Sequence, residues 1–80
     1  MRLPRDESGR HLASVLCKAY GYERVHQQGS HIILETREPK HRISVPDHSP
    51  LRLGTLNAIL RAVAYARGLA KEQVARELLG

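Results

Sequence analysis

The 80-residue chain has no Phe and no Trp, and its aromatic side chains are three Tyr. Any core must therefore be built from Leu, Ile, Val and Ala. A core that small and aliphatic gives modest stability, to which a bound partner protein would add. A single Cys excludes an internal disulfide and suits a reducing compartment. Cys17 falls beside the apolar stripe of a helical segment and reads as a half-buried side chain, because no activating neighbour is visible. No apolar run approaches the ~20 residues of a membrane span. The opening MRLPRDES lacks the apolar stretch of a signal peptide. A cytoplasmic chain is the expectation. There is no Lys/Arg block of the kind that forms a disordered basic tail, no internal repeat and no low-complexity segment.

What is present is a basic balance: 13 Lys and Arg against 8 Asp and Glu, a formal net charge of +5. Positive charge attracts nucleic acid by releasing counterions from phosphates. An acidic protein is the competing partner. At this length one domain is expected over residues 1–80, with its core in 8–68 and a C-terminal helix at about 71–79.

Periodicity divides the chain. Residues 1–7 read as an irregular lead-in, with Pro4 disfavouring helix just before it. Ser8 can cap a helix in which Leu12, Val15, Leu16, Ala19 and Tyr20 share one face, and Gly21 is a natural stop. Three strands follow at roughly 22–27, 30–36 and 41–46. Tyr22, Val25, Ile32, Ile33, Leu34, Ile43 and Val45 supply their β propensity. Gln28-Gly29 reads as the first turn and Arg37 to Lys40 as the second, so the sheet should be an antiparallel meander. Thr55 after Gly54 is the expected cap of a second helix with Leu56, Ile59, Leu60 and Val63 on its buried face. Gly68 should end it, with Leu69 folding back in a Schellman-type stop. A third helix over 71–79 starts poorly, because Ala70 stands where Ser or Asp would cap. The expected class is α+β, in the order α-β-β-β-α with a short extra C-terminal helix and the helices on one sheet face.

The stretch QQGSHIILE, residues 27–35, places a histidine on the first rungs of a strand. Strand side chains alternate between faces. If Ile32 and Leu34 face the helices, His31, Ile33 and Glu35 face out. With Gln28-Gly29 as a two-residue turn, Gln27 pairs with Ser30, Val25 meets Ile32, and His26 lies opposite His31. At the second turn, Leu34 meets Ile43 and Ile32 meets Val45. The open face would then carry Tyr22, Arg24, His26, His31, Ile33, Glu35, Arg42 and Ser44. His26, His31 and His48 would gather at one end of the sheet.

An imidazole titrates near neutrality and can exchange a proton during RNA cleavage. Arg24, Arg42 and Arg52 are candidates to hold phosphate. Each reading has a plainer rival. An exposed strand histidine is commonly a solvated polar residue. Arg42 facing Glu35 suits a surface ion pair of little energetic weight. Ile33 alone on a surface is unremarkable. His11 and His41 read as solvated. None of the five His forms a tight His/Cys spacing, so no metal ligand set is expected.

The segments AYGYERV, QQGSHIILE, ISVPDH and PLRLGTLNAIL, in that order and at these separations, resemble the HicA-type toxins, small mRNA interferases of bacterial toxin–antitoxin pairs. The resemblance runs from about Leu3 to Gly68. It implies a fold similar to a double-stranded-RNA-binding domain, cleavage of mRNA without a known metal requirement or cofactor, and inhibition by a HicB-type antitoxin. It implies that His31, in Gly29-Ser30-His31, is the catalytic histidine. His26 stands where a basic residue such as Arg is usual, a departure that leaves phosphate binding and a share in catalysis both open. Ser30, with Gly29, would shape the turn that presents His31. His48 is a second candidate for the complementary proton transfer, against a plain role in packing the exit of the third strand. Two other classes of function remain at this point. One is a non-catalytic RNA-binding module of the same fold, and the other is an adaptor for an acidic protein.

Overall fold

The computed structural model describes residues 3–80. The order is α1 (Gly9–Tyr20), β1 (Glu23–Gln28), β2 (His31–Arg37), β3 (Lys40–Pro46), α2 (Leu53–Arg67) and α3 (Lys71–Leu79). The three strands form one antiparallel sheet in the order β1-β2-β3. On one face of the sheet α1 packs on β2 and β3 and α2 packs on β3, and α3 packs against both helices. The α+β class and the α-β-β-β-α-α order are as expected from the sequence.

Local signals place most of the boundaries. Ser8 caps α1, its Oγ accepting the His11 N–H at 3.1 Å. Gly21 and Gly68 close α1 and α2 in the left-handed region that Cβ disfavours. The Leu69 N–H donates to the Ala64 carbonyl at 2.9 Å, giving the Schellman-type stop. The start of α3 has no side-chain cap at Ala70. The start of α2 differs from expectation. Arg52, not Thr55, is the residue in extended conformation before the first turn, and it makes no side-chain cap. Thr55 instead lies inside the helix. On α1, Ala13 is buried and Ala19 is exposed, so the stripe sits slightly to one side of the one read from periodicity.

The core is aliphatic. Leu12, Leu16, Ile32, Leu34, Val45, Leu56, Leu60, Val63 and Val74 are fully buried, and Tyr22 is the one aromatic residue among them in the cluster. The pairs Ile32–Val45 and Leu34–Ile43 hold β2 to β3 in the expected register. The register of β1 does not match the expectation. Gln28 pairs with His31, Gln27 with Ile32, and His26 with Ile33. The turn is therefore Gly29-Ser30, with Gly29 at φ +60° and Ser30 at negative φ. That is the pattern of a hairpin turn with Gly at its first central position.

The register then shifts between Arg24 and His26, leaving Val25 as the extra residue of a bulge, 44% exposed. Arg24 lands opposite Leu34, on the helix side of the sheet rather than the open side. Tyr22, expected on the open face, is buried, because the chain enters β1 directly from the αL turn after α1.

Every residue of β1 is exposed. Buried apolar residues are what normally lock register. β1 buries none, so its pairing is set by the turn.

Candidate functional site

His31 is the first residue of β2 and is exposed on the open face. A hydrogen bond of 3.1 Å joins its Nδ1 to Ser44 Oγ on β3. A hydroxyl donates or accepts, so Ser44 can hold either neutral tautomer of the ring. In both cases Nε2 is left to meet a ligand, as a lone pair or as an N–H donor.

The hairpin that carries His31 is tied down from below. The Asp47 N–H donates to the Ser30 carbonyl at 2.6 Å. The Gly9 N–H donates to the His48 carbonyl at 2.9 Å, and Arg10 pairs with Asp47 at 3.2 Å. The start of α1 thus grips residues 46–48, and they grip the turn. A Cβ at Gly9 would stand 1.7 Å from the Pro46 carbonyl oxygen, so the approach requires glycine. Further along the same loop, the Leu51 N–H donates to the Glu7 carbonyl at 2.7 Å. The buried Glu7 carboxylate meets His11 Nδ1 at 2.6 Å. His11 is exposed as expected, but its ring is also held by a hydrogen bond to Glu7.

The other sequence-derived candidates divide by position. Arg52 lies at the start of α2 and lines, with His31 and Ser44, a groove between β3 and α2. Ser30 acts through its backbone carbonyl. His26 lies on the open face but opposite Ile33, a diagonal neighbour of His31 rather than its direct partner. Arg42 pairs with Glu35 at 3.3 Å, as a surface ion pair. Glu35 is four residues along β2 from His31, roughly 13 Å at ~3.4 Å per residue, so Arg42 is remote from it. Arg24 is on the opposite side of the sheet. His48 is exposed on the 46–52 loop, anchored there by its carbonyl. Ile33 is only 9% exposed although it lies outside the helix-side core, so the open face is partly sealed by its own side chains.

Sequence reasoning missed the role of Ser44. Its signal was available: once Ile32 faces Val45, Ser44 is diagonal to His31 on the same face. Gly9 was missed because nothing local marks a glycine that only a distant carbonyl requires.

A second polar group occupies the far end of the sheet. The buried Tyr22 hydroxyl and His41 Nδ1 share a hydrogen bond of 2.6 Å, with the rings edge to face. Burial lowers the His41 pKa and raises that of Tyr22. His41 is thus half-buried and bonded, not solvated as expected. Among the described residues, no group of three or more His, Cys, Asp or Glu side chains is placed to hold a metal ion. No helix among them is long and apolar enough to cross a membrane.

Comparison with known proteins supplies the family. The model described as the HicA toxin of bacterial toxin–antitoxin systems matches residues 9–64 of the 80. The chain belongs to the HicA toxin family. The match takes in α1, the whole sheet and most of α2, and therefore Gly9, His31, Ser44 and Arg52. Helix α3 lies outside it. No curated protein and no solved structure matches the chain. Membership of HicA places the chain among the toxins of toxin–antitoxin pairs, and so implies an antitoxin as partner.

Proposed function

We propose that this HicA-family chain is an endoribonuclease that cleaves mRNA, with His31 as the general acid/base and a HicB-type antitoxin as its inhibitor. The observation that carries the reading is the exposed His31 imidazole, held at Nδ1 by Ser44, with Arg52 lining the same groove. In this reading His31 Nε2 takes the proton of a ribose 2′-hydroxyl as its oxygen attacks the adjacent phosphorus. The P–O5′ bond breaks, and the leaving 5′-oxygen takes up a proton. The products are a 2′,3′-cyclic phosphate and a 5′-hydroxyl. Arg52, which lines the same groove, is the group assigned in this reading to offset the charge that builds on the phosphoryl oxygens. His48 is the second candidate for the proton given to the leaving oxygen. His26, on the same face as His31, is left to bind a more distant phosphate; Arg42 could join it only by giving up its pair with Glu35, and Arg24 lies on the other side of the sheet. This route requires no metal or other cofactor.

The test is cleavage of single-stranded RNA in EDTA by the wild type and by His31→Ala, both first shown to be folded by circular dichroism. The expected loss is about 10²–10⁴-fold, the usual contribution of a positioned acid or base. Equal cleavage by both proteins removes His31 from the chemistry. Binding of RNA without cleavage by either supports an RNA-binding module instead.

A further inference from the structure

The groove that His31 shares is larger than a phosphate needs. It is an open groove of about 690 Å³ between β3 and α2, a size within the range of ~300–1,000 Å³ seen for small-ligand sites. Because α2 turns back after β3, the groove has two unlike ends. His31, Arg52 and Thr55 form the polar end, beside the start of α2. Ile43, Ala58 and Ala62 form the apolar end, further along the helix. Small side chains on α2 keep it open, and Ala58 is itself exposed. β3 is an edge strand, so its outer backbone N–H and C=O groups have no strand partner.

We infer that this groove is the seat of one nucleoside of the RNA, the one next to the phosphate presented to His31, and that it sets which base is accepted there. The inference rests on the cleavage proposed above and names the recognition that goes with it. A phosphate at His31 has a nucleoside on either side. The polar end of the groove suits that phosphate and its ribose, and the apolar end suits the flat face of a base. The free edge of β3 supplies the groups available to hydrogen-bond the edge of the base, and the Thr55 hydroxyl is available to the ribose. No aromatic side chain lines the groove, so selection is by size and edge contacts rather than by stacking. An extended peptide is the other occupant an open strand edge could take. The guanidinium and imidazole at one end, in a chain of net charge +5, favour the polyanion.

The experiment fills the groove. Ala58→Leu and Ala62→Leu place bulk in it at helical positions, and Tyr65→Leu, on a side chain 91% exposed and outside the groove, is the control. Circular dichroism melts check that each variant is folded. Cleavage sites are mapped on a mixed-sequence single-stranded RNA. Binding of a short RNA is measured in the His31→Ala background with and without Ala58→Leu. The expected result is at least a tenfold fall in kcat/KM for the two groove variants, an altered distribution of cleavage sites, and at least tenfold weaker RNA binding. The Tyr65→Leu protein should match the wild type. Unchanged sites and unchanged binding overturn the inference and leave the catalytic role of His31 standing. Unchanged RNA handling with loss of antitoxin binding assigns the groove to the protein partner and also overturns it. If the wild type does not cleave, the catalytic reading fails, and the binding comparison alone decides whether RNA occupies the groove.

Discussion

His31 Nδ1 and Ser44 Oγ lie 3.1 Å apart on neighbouring strands, although their residues are not direct cross-strand partners. His31 pairs with Pro46, and Ser44 with Ile33. The contact is diagonal, and it fixes the ring of a side chain that no core residue holds. Ser44→Ala should therefore lower kcat by roughly fivefold, the worth of one hydrogen bond of ~1 kcal/mol lost from the reacting geometry. KM should change little, and Ser44→Thr should keep most of the rate. Steady-state cleavage of RNA checks this. A rise in KM with kcat unchanged would instead place Ser44 in substrate binding.

Gly9 tests the grip of α1 on the 46–48 loop. In an unconstrained helix position, alanine would be favoured over glycine by ~1 kcal/mol. Here its Cβ would meet the Pro46 carbonyl oxygen at 1.7 Å. Gly9→Ala should destabilise the protein by about 1–3 kcal/mol, as overpacking does. A urea titration gives the sign. A stabilised variant would show that the loop can move away.

The third helix is joined to the first by Tyr20, whose hydroxyl donates to the Glu77 carboxylate, while Arg67 lies over the Tyr20 ring at 4.4 Å. Burial, then the bond to Glu77, pushes the Tyr20 pKa up to about 12. The folded protein therefore keeps a proton that the unfolded chain loses near pH 10. That contribution is present below pH 10 and is lost as pH rises to about 12. Melting temperature should fall across this interval, and the fall should be smaller in Tyr20→Phe. Tyr22, also raised by burial, acts in the same direction, so Tyr22→Phe is measured beside it.

On the acid side the group to watch is His41, whose pKa burial holds below the ordinary ~6.5. The unfolded chain takes up the proton first. Stability from this group is therefore present above ~6.5 and lost as pH falls through the lowered value. Urea midpoints at pH 7.5 and 5 should differ more for the wild type than for His41→Gln. An equal difference would clear His41 of any part in acid sensitivity.

Much of this fold is legible in the sequence, because it depends on short-range chemistry. Ser8 caps and Gly21 stops the first helix by contacts within one turn. Gly68 and Leu69 end the second in the same way. The β2–β3 register followed from apolar residues that must share one buried face. The position of His31 on the open face came from the same alternation. Tertiary structure decided what no local pattern constrains. β1 buries no residue, so an apolar count could not choose between the turns Gln28-Gly29 and Gly29-Ser30. A one-residue error there moved His26 away from His31, and the bulge at Val25 turned Arg24 to the other face. Arg52 and Ala58 share a groove with His31 only because α2 folds back along β3. Gly9 matters only because Pro46 arrives beside it. The sequence by itself thus determined the elements, the buried faces and the histidine presented on the open one. The packing of α1 and α2 onto the sheet decided what surrounds that histidine, since those contacts join residues that are distant in sequence.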